Sequence, residues 1–519
     1  MKKIAYFISL FVLAGILVVA CKSDDKDDLP PEETQTHTVT GFTPPNGPVG
    51  TEVTITGTNL TTQDASAAIG GTTAAITGAN SSGTELYITV PNGASDGKIS
   101  VTIGDVEKKS TNDFVVTEET SGPDAIELAV TSLEMRTLDI GQFPEITNLD
   151  EFENPTISYE SDSESTLEVD EEGVLKALQS GEATLEVTVV SNEVEFTAEV
   201  MVNISPSEFV VGSENNGFYD YIKVWKNGEV LYSINNDGND AYGQSIFVSN
   251  SNYIYVTGHI IEPNLSRVSK VWRNGEEVMV LEEGEPFDVL AVDIHVTDNE
   301  ELYVAGSKHS GQSYEAAYWH NGDATVLHNG PSSASDLILY EQDVYTVGDV
   351  GNSASTVWLN ENELYTLPKS DESYSLSANS ITVLDGLVYT AGVEFFDGYF
   401  KANVWENGNL HLSLYDNVNS SSARSLVATA DNLYIVGEEG FRATLWINTK
   451  SIPLATVTSE ATEIKIHDGF AYISGKRKVE SKDAAVVWKV NLDNEEIETI
   501  ELDGPLGTKN YRAASLFIK

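Results

Sequence analysis

The chain is predicted to be all-β, with two small β-sandwiches followed by a seven-bladed β-propeller, and three observations carry that prediction. Seven tryptophans, all that the 519 residues contain, recur about every 40 to 47 residues on segments that read as strands running into tight turns. A second motif, an aromatic three residues ahead of a glycine, keeps step with them. Upstream of each aromatic lies a third: a small residue, a spacer, a polar residue and alternating aliphatics. A period of that length filled only with short strands marks propeller blades.

Each motif supplies one element of the blade. The third gives an inner strand, beginning at Gly243, Ala291, Ala334, Ala378, Ala423 and Ala461. The second strand carries Tyr255, Tyr303, Tyr345, Tyr389, Tyr434 or Tyr472, with Phe209 opening a further copy. The third strand carries Trp225, Trp272, Trp319, Trp358, Trp405, Trp446 or Trp488. A fourth strand, such as Glu229–Ile234, completes the blade. Asn-Gly pairs at 227–228, 274–275, 321–322 and 407–408 suit a two-residue hairpin, which needs φ > 0 at both central residues. Aromatics repeated in every blade are expected to pack against the next sheet, because a ligand rarely needs seven equivalent copies. The copy at Phe209 lacks an inner strand, and the missing pattern stands at Ala513–Ile518. One blade of a domain at 207–519 is therefore expected to be assembled from both of its ends. Such closure removes exposed sheet edges.

The N-terminus reads as a secretion signal over residues 1–20, with Lys2 and Lys3 ahead of an apolar run from Ile4 to Ala20. Its ending, Leu17-Val18-Val19-Ala20-Cys21, resembles a bacterial lipobox, which implies cleavage before Cys21 and acylation of its sulfur. Cys21 is the only cysteine, so no intramolecular disulfide is possible. Acyl chains contribute about 0.8 kcal/mol per buried methylene, so two or three of them make membrane lipid a lasting partner. Lys22-Ser23-Asp24-Asp25-Lys26-Asp27-Asp28 resembles the acidic export tag of Bacteroidetes surface lipoproteins. The resemblance implies the outer membrane, facing the exterior, with residues 21–37 as an acidic tether.

Residues 38–117 resemble the IPT/TIG family of immunoglobulin-like domains through Val39–Pro44, Gly47–Thr51, Val53–Gly57, Asn59-Leu60, Leu86–Pro91 and Gly97–Thr102. Period-2 alternation broken by Gly, Pro and Asn predicts a small sandwich there independently. Residues 124–205 resemble the bacterial Ig-like group 2 domains through Ile157–Ser161, Leu167–Asp170, Gly173–Leu178 and Gly181–Leu185. Both resemblances imply spacers or adhesion modules and bring no catalytic residues.

Composition narrows the function classes. The formal charge is −52, or −54 once Lys2 and Lys3 leave with the leader, and such a surface repels nucleic acid. HExxH, CxxC and GxSxG are absent, as is the sialidase repeat. No cofactor is expected. The oxygen-rich stretch Asn235–Asp240 is the best local calcium candidate, but it lacks the EF-hand spacing and closing Glu and reads better as a turn.

Two sets of residues are candidates for function. The polar position of the inner-strand motif reads Ser245, Asp293, Asp336, Ser380, Ser425, Glu463 and Ser515, a ring at the channel mouth. Its side chains are expected to bond neighbouring strands or channel water. Alternatively Asp293, Asp336 and Glu463 form an acid/base set of a polysaccharide hydrolase or lyase. The other set is the aromatics outside the repeat, expected on the loop face: Tyr219, Tyr221, Tyr242, Tyr314, Tyr374, Phe395, Phe396, Tyr399, Phe400, Phe441 and Tyr511. Tyr242, Phe395, Phe396, Tyr399 and Tyr511, joined by Arg424 and Arg442, are the leading candidates. Aromatics beside Asp, Asn and Arg suit a sugar ring or a peptide. The reading preferred on this basis is a non-catalytic surface lipoprotein that binds a glycan or protein.

Overall fold

The computed structural model describes residues 36–118, 123–234, 238–263, 266–282, 288–351, 353–502 and 510–519. They fall into two compact units, the second being Ala125–Lys519. The leader, Cys21 and most of the tether lie outside the described residues. In the first unit eight strands form one sheet, and its first strand, Thr38–Thr43, also neighbours the long strand Val106–Val116. Alternation along the strands turns Val53, Ile55, Leu86, Ile88, Ile99 and Val101 inward around Phe114.

The second unit opens with a two-sheet sandwich. Four strands (Ser132–Arg136, Thr156–Ser161, Gly181–Ser191 and Val194–Ser205) face three (Ile140–Gln142, Leu167–Val169 and Val174–Ala177). Leu167, Leu175, Leu185, Val187, Val200 and Val202 fill the space between them.

Seven four-stranded antiparallel sheets follow, consistent with propeller blades. The first combines Glu208–Asn215, Asp220–Lys226 and Glu229–Ile234 with the C-terminal strand Asn510–Ile518, as the C-terminal pattern predicts. The inner strands of the other six are Ala241–Val248, Val289–Val296, Ser332–Tyr340, Ser375–Leu384, Ser421–Ala428 and Ser459–His467. Each inner strand neighbours the next, and Asn510–Ile518 neighbours both the last and the first of these six. Each Trp is buried between its own sheet and the preceding one. Trp272 packs on Ile222 and Val224, and Trp225 packs on Tyr472 and Val487 of the last sheet. The seven buried indoles extend the apolar contact that joins sheet to sheet.

Two local devices recur. In every inner strand one residue bulges out of register: Gln244, Val292, Ser335, Asn379, Arg424, Thr462 and Ala514. Beside the bulge, on the second strand, stands the motif glycine, where the two backbones approach closely. A Cβ on Gly348 would lie 1.9 Å from the Ser333 carbonyl oxygen, and the other six meet a carbonyl at 1.8–2.2 Å. The second device is an asparagine clip. Asn227, Asn274, Asn321, Asn360, Asn407 and Asn448 sit at positive φ in the turn after the Trp strand. Each side-chain oxygen accepts the N–H that opens the second strand, at 2.9–3.0 Å, as from Leu302 to Asn321.

The upper face of the ring is the one where inner strands begin; the lower face holds the clips. The second sandwich docks on the lower face. Ser207 Oγ donates to the Thr137 carbonyl (2.7 Å), Lys226 Nζ donates to Asp139 (2.7 Å), and Ser180 Oγ bonds His467 Nε2 (3.1 Å).

Two tests follow from closure and from the bulge. Removing Tyr511–Lys519 is expected to abolish the cooperative thermal transition of the ring, because it strips the first sheet of its inner strand. Gly348→Ala is expected to cost more than about 2 kcal/mol in chemical denaturation, since backbone must move. Gly398→Ala, where only the φ of +84° objects, is expected to cost about 1 kcal/mol.

Candidate functional site

The bulge aims the next side chain, the polar one, into the channel and toward the neighbouring sheet. Six of the seven accept a backbone N–H there. Ser515 takes Ile246 N–H (3.2 Å), Asp293 takes Leu337 (3.4 Å) and Asp336 takes Ile381 (2.8 Å). Ser380 takes Leu426 (3.3 Å), Ser425 takes Ile464 (3.4 Å) and Glu463 takes Leu516 (2.9 Å). Ser245 instead donates to Asp293 at 2.7 Å. The space bounded by these residues and the bulges is about 120 Å³.

The three carboxyl groups are enclosed by protein though they touch the channel. Burial, then the charge of Glu463, raises Asp293. Burial, then the charge of Asp293, holds Asp336 well above the usual carboxylate range, and its O–H bonds the Asp293 carboxylate. Glu463 has a counter-ion that the sequence reading overlooked, Lys465 at 2.5 Å. Burial by itself would lower that ammonium, but Glu463, with Asp293 and Asp336, raises it. Below this tier Phe247, His295, Ile338, Thr382, Val427, Lys465 and Phe517 point into the lower channel, two positions on from the polar set. Burial, aided by Lys465, lowers His295 to about 4, so it is neutral at physiological pH.

On the upper face, one edge gathers aromatic rings. The hairpin Leu387–Phe396 and Tyr399–Glu406 stacks Phe396 on Tyr399 (4.7 Å, 1°), and Tyr399 stacks on Tyr415 of the next loop (5.2 Å, 16°). Phe395 meets Phe400 edge-on at 5.3 Å, and Tyr374 N–H bonds the Phe395 carbonyl. The same edge continues through Ser420, whose hydroxyl takes Phe400 N–H and whose carbonyl takes Gly440 N–H, to Phe441. Phe441 is 79 % exposed and holds φ at +69° beside Gly440 at +58°. A turn with both central residues at positive φ favours Gly second, and Gly228, Gly386 and Gly469 occupy that place in other turns of the ring. A bulky aromatic there carries strain. Arg442 is exposed beside it. Asp416 accepts Val418 and Asn419 N–H, bonds that hold its carboxyl below the usual value.

Several candidates lie elsewhere. Tyr511 is not on the loop face: it is 7 % exposed and packs with Trp225 and Leu516, because the C-terminal strand begins earlier than Ala513 and draws the ring into the sheet. Tyr242 stands between the first two sheets with its hydroxyl on Asp220 (2.8 Å), away from the aromatic edge. Arg424 is the bulge residue of its strand, paired to Glu460 (2.8 Å) and Glu438 (3.4 Å) at the channel rather than at the edge. Phe218, 86 % exposed on an upper turn of the first sheet, and Tyr415 were missed, though both are aromatics outside the repeat. Among the described residues no His/Cys/Asp/Glu group could hold a metal, and Asn235–Asp237 of the calcium candidate lie outside them. Among the described residues, too, no helix is long and apolar enough to cross a membrane.

Residues 38–117 match the model of the IPT/TIG domain. No curated protein matches the chain. An auxiliary nutrient binding protein from Bacteroides thetaiotaomicron aligns over 92 % of this chain and 99 % of its own, at 12 % identity and TM-score 0.31. One from Bacteroides ovatus aligns over 91 % and 99 %, at 10 % identity and TM-score 0.29. A quinonprotein alcohol dehydrogenase-like protein from Bacteroides thetaiotaomicron aligns over 76 % and 99 %, at 13 % identity and TM-score 0.37. At such values the functional reading rests on this chain's own residues.

The carboxyl pair makes a prediction about pH. An acid whose folded pKa is raised binds its proton more tightly when folded, so its contribution to stability is lost as pH climbs above the ordinary Asp range. Asp336→Asn keeps an acceptor for Ile381 N–H and a donor for Asp293 without a titratable proton. Its melting temperature is expected to match the parent near pH 4 and to exceed it increasingly toward pH 8. A uniform loss at every pH would count against proton sharing.

Proposed function

We propose that this chain is a non-catalytic surface lipoprotein whose sheets close as a seven-bladed propeller and bind a glycan on the aromatic upper edge. In this reading Cys21 carries the lipid anchor at the outer face of the outer membrane. The IPT/TIG domain and the second sandwich, read as a group 2 Ig-like domain, are spacers. One observation carries the binding reading. Phe441 stands at positive φ where glycine would serve the turn better, and it presents its ring to solvent. Beside it the Phe396–Tyr399–Tyr415 stack, Phe395, Phe400 and Arg442 offer apolar faces next to polar groups, the combination that a sugar ring requires. A protein ligand would use the same edge.

The hydrolase or lyase reading would place chemistry on Asp293, Asp336 and Glu463. One oxygen of each already accepts a backbone N–H of the next sheet, Glu463 also pairs with Lys465, and Asp336 bonds Asp293, so the set is committed to joining sheets.

A glycan array probed with the chain and with Phe441→Gly tests the proposal. Binding is expected to weaken about tenfold in the variant, the loss of one stacking platform. Its stability is expected to hold or rise by up to about 1 kcal/mol, since glycine relieves the turn. Release of reducing ends or unsaturated products from any polysaccharide on the array would overturn the non-catalytic reading.

A further inference from the structure

We infer that the cleft between the second sandwich and the lower mouth of the channel is a second binding site, for a neutral mono- or disaccharide. It has a volume of about 620 Å³, within the range of small-molecule sites, and opens on the lower channel through Phe247, Phe517, Ile518 and His467. One wall is Leu178, Gln179 and Ser180 of the sandwich. The other is the ring, where Phe247 and Phe517 lie 4.8 Å apart and form an aromatic floor. The walls are fixed relative to each other at both ends of the contact, by Ser180 on His467 and by Ser207 and Lys226 on Thr137 and Asp139. The site is thus formed before anything enters.

The choice of ligand follows from which groups are spent. Asp298 takes the Asn250 amide at 2.6 Å, Lys519 Nζ donates to the Ser249 carbonyl at 2.8 Å, and His467 Nε2 lies 3.1 Å from both Ser180 Oγ and the Asp468 carboxylate. Asp298 and Lys519 bring opposite charges to the cleft and each already holds a protein partner, so the lining selects neither an anion nor a cation. Left over are the Gln179 and Asn252 amides and the Ser165 hydroxyl, uncharged donors and acceptors opposite an aromatic floor. Amides for hydroxyl groups and a ring for the C–H face of a sugar suit a small neutral saccharide.

The test is isothermal titration calorimetry of the whole chain downstream of Cys21 with glucose, galactose, mannose, xylose, arabinose and their common dimers. Octylamine and octanoate serve as charged probes. At least one neutral sugar is expected to bind. Asn250→Trp, an exposed turn residue whose indole would fill the cleft, is expected to abolish binding, and Gln179→Ala to weaken it about tenfold. Phe441→Gly is expected to leave it unchanged, which separates this site from the upper edge. Binding of only the charged probes, binding that survives Asn250→Trp, or no binding by any sugar would overturn the inference.

Discussion

The ring depends on one repeated hydrogen bond, from a backbone N–H on one inner strand to a polar side chain on the strand before it. Sheets packed face to face by Trp, Tyr and Val are free to slide, because apolar contact has no direction. The inner-strand bond supplies direction. It ties adjacent sheets at one height along the channel, and six such ties run around the circle. Each contributes only about 1 kcal/mol, more where the acceptor is charged. With the side-chain links from Asn379 to the Ala423 carbonyl and from Thr462 to the Ala513 carbonyl, they fix the register of the sheets at the axis.

That bond needs the bulge, and the bulge needs the glycine. An extra residue in the inner strand turns Asp336 or Ser425 toward the next sheet; the second strand must then pass close enough that only hydrogen fits on Gly348 or Gly437. Three sequence motifs spaced along the chain are parts of a single joint. The same joint decides what the channel can do. The backbone N–H groups held by Asp293, Asp336 and Glu463 make the tier a structural collar.

Much of this was legible in the sequence because it is repeated. Trp225 and its six equivalents, the aromatic–glycine pairs and the stray copy at Ala513–Ile518 contain the sheet count and the composite first sheet. The polar position was legible as a ring, but which neighbour each side chain bonds was not, since that depends on a twist absent from the letters. Asn227 reads as a turn former, while its second task of clipping the start of the next strand appears only when Glu208 is brought alongside. Tyr511 was misread because an aromatic outside the pattern can end a loop or begin a strand, and only pairing with Glu214 decides. The lower cleft was invisible in principle: Gln179 and Phe517 are far apart in sequence and meet only after two domains dock.

The composite first sheet also bears on the order of events as the chain is made. Six sheets can form as their residues emerge, but the circle stays open until the final strand arrives. A chain that stops short of its last ten residues leaves an unpaired sheet edge on Glu208–Asn215 and a gap in the collar. Without Asn510–Ile518 that edge is open to proteases and to other unfinished copies.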